Sequence, residues 1–101
     1  MAYERVMGLD VIDDQMYQQY RDAMGPILKS FGGSFGFDFR VSEVLLSKTE
    51  GHINRLFTIA FPSQKHMEEF FSNADYLAVK AMYFDKSVKS KTIISLYELS
   101  T

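Results

Sequence analysis

The stretch Phe35-Gly36-Phe37-Asp38-Phe39-Arg40, followed after Lys48-Thr49-Glu50-Gly51 by Phe57, Ile59 and Phe61 at alternate positions, decides the fold. Apolar side chains two residues apart stand on one face of an extended strand. A glycine-containing turn between two such runs reads as a β-hairpin, here from about Ser34 to Phe61. Helical patterns flank it on both sides, which makes it the middle of a small sheet packed by helices.

Toward the N-terminus, Val6 to Val11 reads as a first strand, with Met7, Leu9 and Val11 on one face and Val6 and Gly8 on the other. Asp13 and Asp14 offer an N-cap and first-turn negative charge to a helix. Its apolar stripe is Met16, Tyr17, Tyr20, Met24, Ile27, Leu28 and Phe31, spaced by threes and fours. Gly25-Pro26 interrupts the stripe, and a proline there predicts a kink or a restarted helix. Gly32-Gly33 ends it.

Toward the C-terminus, Pro62-Ser63 closes the third strand, and Ser63 is placed to cap a second helix whose apolar face is Met67, Phe70, Phe71 and Ala74. Asn73-Ala74-Asp75 reads as a break at which Asp75 caps a longer helix. That helix carries Tyr76, Leu77, Val79, Ala81, Met82, Tyr83 and Phe84, enough apolar circumference for contacts on two sides. Thr92 to Leu99 is a last strand, with Ile94 and Leu96 on one face and Ile93, Tyr97 and Leu99 on the other. The order is a single-domain, ferredoxin-like α+β sandwich, βαββαβ, over a four-stranded antiparallel sheet.

The chain has 101 residues, of which 47% are hydrophobic and 15% aromatic, including 9 Phe, 6 Tyr and 6 Met. A domain this small buries only roughly 60–65% of its unfolded surface, so part of that apolar material is available for an interface. The net charge of −2 and the absence of a basic stripe argue against nucleic acid. Lys80, Lys86, Lys89 and Lys91 read as cations near a helix end. With no cysteine, disulfide and thiolate chemistry are excluded. No apolar run has signal-peptide or membrane-spanning length, so the expectation is a soluble, cytoplasmic protein with no membrane partner.

In a sandwich of this kind the helices cover one sheet face and leave the other bare. Here both faces of the third and last strands carry apolar residues, Leu56 and Ala60 among them. Leaving a few hundred Å² of such surface wet forgoes several kcal/mol at about 25 cal/mol per Å². Only Met1, Ala2, Tyr3 and the end after Leu99 are spare, too short to cover it. A second copy, packed sheet against sheet, is the expected cover.

The pieces Val11-Ile12-Asp13, Tyr17 and Tyr20, Pro26, Gly32-Gly33, Phe61-Pro62-Ser63 and Asn73-Ala74-Asp75-Tyr76, in this order and spacing, resemble a family of small bacterial proteins known as domain of unknown function 1330. The resemblance runs from Val11 to Leu99 and implies a dimeric α+β barrel. The chain departs from the family pattern in having Phe70 and Phe71 and no tryptophan after Phe-Pro-Ser. Arginines usual in the family are replaced near Asp38 and at Tyr83.

Six residues are candidates for a ligand site: Tyr17, Tyr20, Asp38, Arg40, Tyr76 and Tyr83. Asp38 and Arg40, two apart on the second strand, offer a base and a carboxylate-binding fork, or else charges that discourage edge-to-edge pairing. The tyrosines either pack as core rings with bonded hydroxyls or line a pocket between helices and sheet. His52 and His66 lack metal-ligand spacing, and Gly32-Gly33-Ser34-Phe35-Gly36 enters a strand, so no metal, phosphate loop or cofactor is expected. Three functions fit. The first is a homodimer that binds a small, partly apolar molecule between helices and sheet. The others are a cofactor-free monooxygenase or isomerase of the α+β barrel type, and a structural or regulatory dimerisation module.

Overall fold

Met7, Leu9 and Val11 are buried on one face of the first strand, and the helices lie over that face. A computed structural model describes residues 2–99. The elements are β1 (Ala2–Val11), α1 (Asp14–Ser30), β2 (Ser34–Arg40), β3 (Arg55–Phe61), α2 (Gln64–Ser72), α3 (Ala74–Val79), a π-helical turn (Lys80–Phe84), the short α4 (Asp85–Ser87) and β4 (Val88–Leu99). The strands form one antiparallel sheet in the order β2-β3-β1-β4, the ferredoxin-like arrangement. The two central strands supply the floor of the core, with Phe57, Ile59 and Phe61 beside the β1 residues. Tyr17, Tyr20, Met24 and Leu28 of α1, Met67 and Phe70 of α2, and Tyr76 of α3 close it from above.

The helix ends follow local chemistry. The Asp13 side chain accepts from the Met16 amide at 3.0 Å, and Ser63 accepts from the His66 amide at 3.2 Å. Asn73, not Asp75, caps α3: its side chain accepts from the Tyr76 amide at 3.0 Å, three residues on, while Asp75 lies in the first turn. Gly32 adopts φ 73°, the left-handed conformation that stops α1. The expected restart at Gly25-Pro26 does not occur, and α1 runs through Pro26 unbroken. Pro26 is exposed, so the Asp22 carbonyl that loses its amide partner can bond water instead.

Two bulges revise the strand faces. In β2, Phe35 pairs with Ile59 but Asp38 pairs with Phe57, so Gly36 and Phe37 both stand opposite Thr58. Residues paired across a ladder share a face. Phe35, Asp38 and Arg40 are therefore on the helix side, while Phe37 and Phe39 share the open side, stacked at 5.9 Å. In β4, Val6 pairs with Ser95 and Met7 with Ile93, leaving Ile94 as the extra residue. Ile93 and Leu96 thus join the helix side, and Tyr97 and Leu99 the open side, because one inserted residue inverts the alternation beyond it.

The hairpin is also looser than a turn at Lys48–Gly51 implies: residues 41–54 form no helix or strand. This connection covers part of the open face, with Ile53 buried in the space a side chain at residue 8 would need. The chain therefore holds more cover than its termini alone; Met1 and the residues after Leu99 lie outside the described residues. Phe37, Phe39, Ile94 and Tyr97 nevertheless stay exposed on that face, and Leu45 and Leu46 in the connection are 88% and 91% exposed.

Candidate functional site

Beneath α1 and α3 the side chains do not fill the space above the sheet. A cavity of about 350 Å³ remains, within the size range of small-molecule sites. Its floor is Arg5, Met7 and Leu9 of β1 with Phe57 and Ile59 of β3, and its roof comes from Tyr17, Tyr20, Arg21 and Met24 of α1. Phe71, Tyr76, Leu77, Lys80 and Phe84 close one side, and Lys91 and Ile93 of β4 reach its border.

The lining is aromatic, with polar groups at few points. The Tyr20 and Tyr76 hydroxyls are 2.9 Å apart and buried. Burial pushes the Tyr20 phenol far above its ordinary value, helped by Tyr76 beside it, and burial likewise raises Tyr17 and Tyr76. Arg21 donates from Nε to the Tyr17 hydroxyl at 2.8 Å, and its guanidinium lies 3.9 Å from the Phe35 ring centroid and 4.8 Å from that of Phe57. The Arg5 guanidinium lies 4.5 Å from the Phe71 ring centroid. Burial lowers the Arg5 pKa, and its Nε is buried with no hydrogen-bond partner among the described residues.

Among the described residues, the charges lining the cavity are all of one sign: Arg5, Arg21, Lys80 and Lys91, with no Asp or Glu. Two of the four have carboxylate partners outside it. Arg21 reaches Asp38 at 3.3 Å and Lys80 reaches Asp85 at 2.9 Å. Lys80 and Phe84 bound the π-helical turn, in which the Asp85 amide bonds back to the Lys80 carbonyl. Such turns recur at functional sites.

Of the six candidates, Tyr17, Tyr20 and Tyr76 line the cavity. Asp38 is on the helix side but outside the lining, held by Arg55 through two bonds of 2.8 Å and by Arg21. The Arg55 hydrogen bonds, aided by the Arg21 charge, hold its carboxyl below the usual carboxylate range, which weakens it as a base. Arg40 is exposed opposite Arg55, and Tyr83 packs half-buried against the core; neither lines the cavity. His66 shares a 2.6 Å hydrogen bond with Ser63, and no group of three or more His, Asp or Glu fit to hold a metal occurs among the described residues.

Sequence reasoning did not single out Arg5 or Arg21, and it placed Phe71 on the apolar face of a helix rather than in a site. Arg5 carried a signal, since it continues the Met7-Leu9-Val11 alternation once β1 is extended to Ala2. Arg21 stands four residues after Tyr17, one helical turn on, where the two side chains meet.

An α+β domain with a ferredoxin-like sheet and a cationic, aromatic cavity under its helices is the class this geometry defines. The chain belongs to the family described as Domain of unknown function (DUF1330), which matches residues 2–96. It is similar in structure to a protein of unknown function from Rhodopseudomonas palustris, with 14% identity and a TM-score of 0.82 over 99% of this chain and 83% of that one. A dabb family protein with a ferredoxin-like fold from Mesorhizobium loti gives 12% identity and a TM-score of 0.70, over 99% and 98%. A protein of unknown function from Thermobifida fusca, described as dimeric and ferredoxin-like, gives 10% identity and a TM-score of 0.62, over 98% and 92%. A comparison with curated proteins gives no match. Among the described residues, no helix is long and apolar enough to cross a membrane.

Proposed function

We propose that the protein is a homodimer in which each subunit binds a small, partly apolar molecule between its helices and its sheet. The observation that carries this reading is the cavity of about 350 Å³, walled by Tyr17, Tyr20, Phe35, Phe57, Phe71 and Phe84 in a domain with little core to spare. An unfilled space of that size forgoes packing energy, which a bound ligand restores. The homodimer is supported by Phe37, Phe39, Ile94 and Tyr97 on the open sheet face, by Leu45 and Leu46 beside it, and by the dimeric description of a neighbour of the same fold.

A thermal-shift titration with indole, a neutral aromatic probe, tests the ligand half. The expected result is a Tm that rises with indole concentration and follows mass action. An unchanged Tm for indole and for other small aromatic probes refutes it. Sedimentation at micromolar concentration tests the dimer, and a folded monomer there refutes that half.

A further inference from the structure

We propose that the cavity is specific for a carboxylate on an aromatic or similarly flat apolar body, and that Arg5 receives the carboxylate. The inference rests on the reading of the cavity as a small-molecule site and names the class of molecule it takes.

Charge around the cavity is out of balance, with four cationic side chains in the lining and no anionic one. Arg21 and Lys80 are partly answered by Asp38 and Asp85, which lie outside the lining. Arg5 is answered by nothing: it makes no ion pair or hydrogen bond among the described residues, and its Nε is buried without a partner. A buried N–H left unbonded is costly, and more so on a charged group. Its guanidinium lies 4.5 Å from the Phe71 ring centroid, a contact that steadies its plane but does not satisfy a donor along that plane.

A guanidinium pinned by a ring and retaining in-plane donors suits a carboxylate, which accepts two parallel N–H bonds. Lys91 adds positive charge from β4. It stands opposite Leu9, four residues along β1 from Arg5, or about 13 Å at the rise of a strand. Between these cations the floor is Met7, Phe57 and Ile59, which suits an apolar body and would reject a molecule charged along its length. The buried Tyr20 and Tyr76 hydroxyls bond each other at 2.9 Å, and among the described residues neither bonds Arg5.

The test uses phenylacetate and phenylacetamide, matched in shape and different in charge, titrated calorimetrically into the native protein at neutral pH. Phenylacetate is expected to bind at least about tenfold more tightly, the scale of one charge-assisted bond in a partly dry site. Arg5→Met is expected to abolish that preference, the loss of affinity falling mainly on phenylacetate. In the native protein, phenylacetate is also expected to shift the Arg5 Nε–H proton resonance downfield, a readout that needs no variant to fold. Equal affinities for acid and amide overturn the carboxylate while leaving the small-molecule reading standing. A preference retained in Arg5→Met, or an Arg5 resonance unmoved at saturation, overturns the role of Arg5. Failure of both probes to saturate overturns the proposal, and if indole fails too, the reading beneath it falls with it.

Discussion

Asp38 and Arg55 meet across β2 and β3 through two hydrogen bonds of 2.8 Å, on the helix side of the sheet. That meeting depends on the bulge at Gly36-Phe37, which turns Asp38 to the side of Phe35 and Phe57. The same carboxylate steadies Arg21, whose guanidinium roofs the cavity. Asp38 thus ties an edge strand to the cavity through two arginines.

Asp38→Asn is expected to destabilise the protein by about 1–3 kcal/mol, because Arg21 and Arg55 side chains that are 10% and 12% exposed lose their counter-charge. The value lies below that of a fully buried pair, since Asp38 is itself one-third exposed. The pH dependence has a definite sign. Asp38 has a lowered pKa in the folded state, so its contribution is present above the unfolded carboxylate value and fades as pH falls through the folded one. Urea melts of both proteins should therefore differ at pH 7 and converge in acid below about pH 4. A constant difference across that range would show that the lost carboxylate charge is not what weakens the variant.

The bulge makes a second prediction. A Cβ at residue 36 would stand 2.6 Å from Thr58 Oγ1, the same oxygen that accepts the Phe37 amide at 2.8 Å. Gly36→Val should cost about 1–3 kcal/mol, the usual range for overpacking. Amide exchange should show the loss first at Phe37, whose bond to Thr58 is displaced. An unchanged melting midpoint would mean that the strand re-registers without the bulge.

Bulges also explain what the sequence did and did not disclose. The element order, the strand faces of β1 and β3 and the caps at Asp13 and Ser63 follow from period and cap chemistry, which are local. The side on which Asp38, Ile93 and Leu96 lie depends on one inserted residue in each edge strand. Ile93-Ile94 carries no mark of an insertion, and Gly36, a glycine inside a strand, hints at a bulge without fixing the register beyond it. Tyr17, Tyr20 and Tyr76 were legible as inward-facing because helical spacing fixes their direction. Arg5 and Arg21 were not, because an arginine on an apolar face reads as a solvated charge until the aromatic rings that cover it are known. Phe35, Phe57 and Phe71 reach those guanidiniums only through the tertiary fold.

The open face should respond to charge. Phe37 and Phe39 are 63% and 52% exposed and stack with their planes 17° apart, an apolar slab on the edge strand. The double substitution Phe37→Glu with Phe39→Glu places two like charges there. In a sheet-to-sheet dimer each charge would be buried without a partner, so sedimentation should show a monomer with native helical circular dichroism. A variant that remains dimeric would place the interface elsewhere on the molecule.

The buried hydroxyl pair gives the last prediction. Tyr20 and Tyr76 join α1 to α3 at 2.9 Å, and each hydroxyl is the other's only side-chain partner among the described residues. Tyr20→Phe or Tyr76→Phe alone should cost about 1–2 kcal/mol, since each leaves one buried hydroxyl unbonded. The double substitution should cost no more than either single one, because the remaining group is then apolar, giving a coupling of about 1 kcal/mol in a double-mutant cycle. The alkaline limb supplies an independent check. Burial raises both phenols in the folded state, so their contribution is complete below the unfolded tyrosine pKa of about 10 and declines as pH rises beyond it. Unfolding midpoints of the native protein should fall above that pH, and those of the double variant should fall less. Additive single costs would mean that the two hydroxyls are each satisfied by something other than one another, and the roof of the cavity would then have to be redrawn around water.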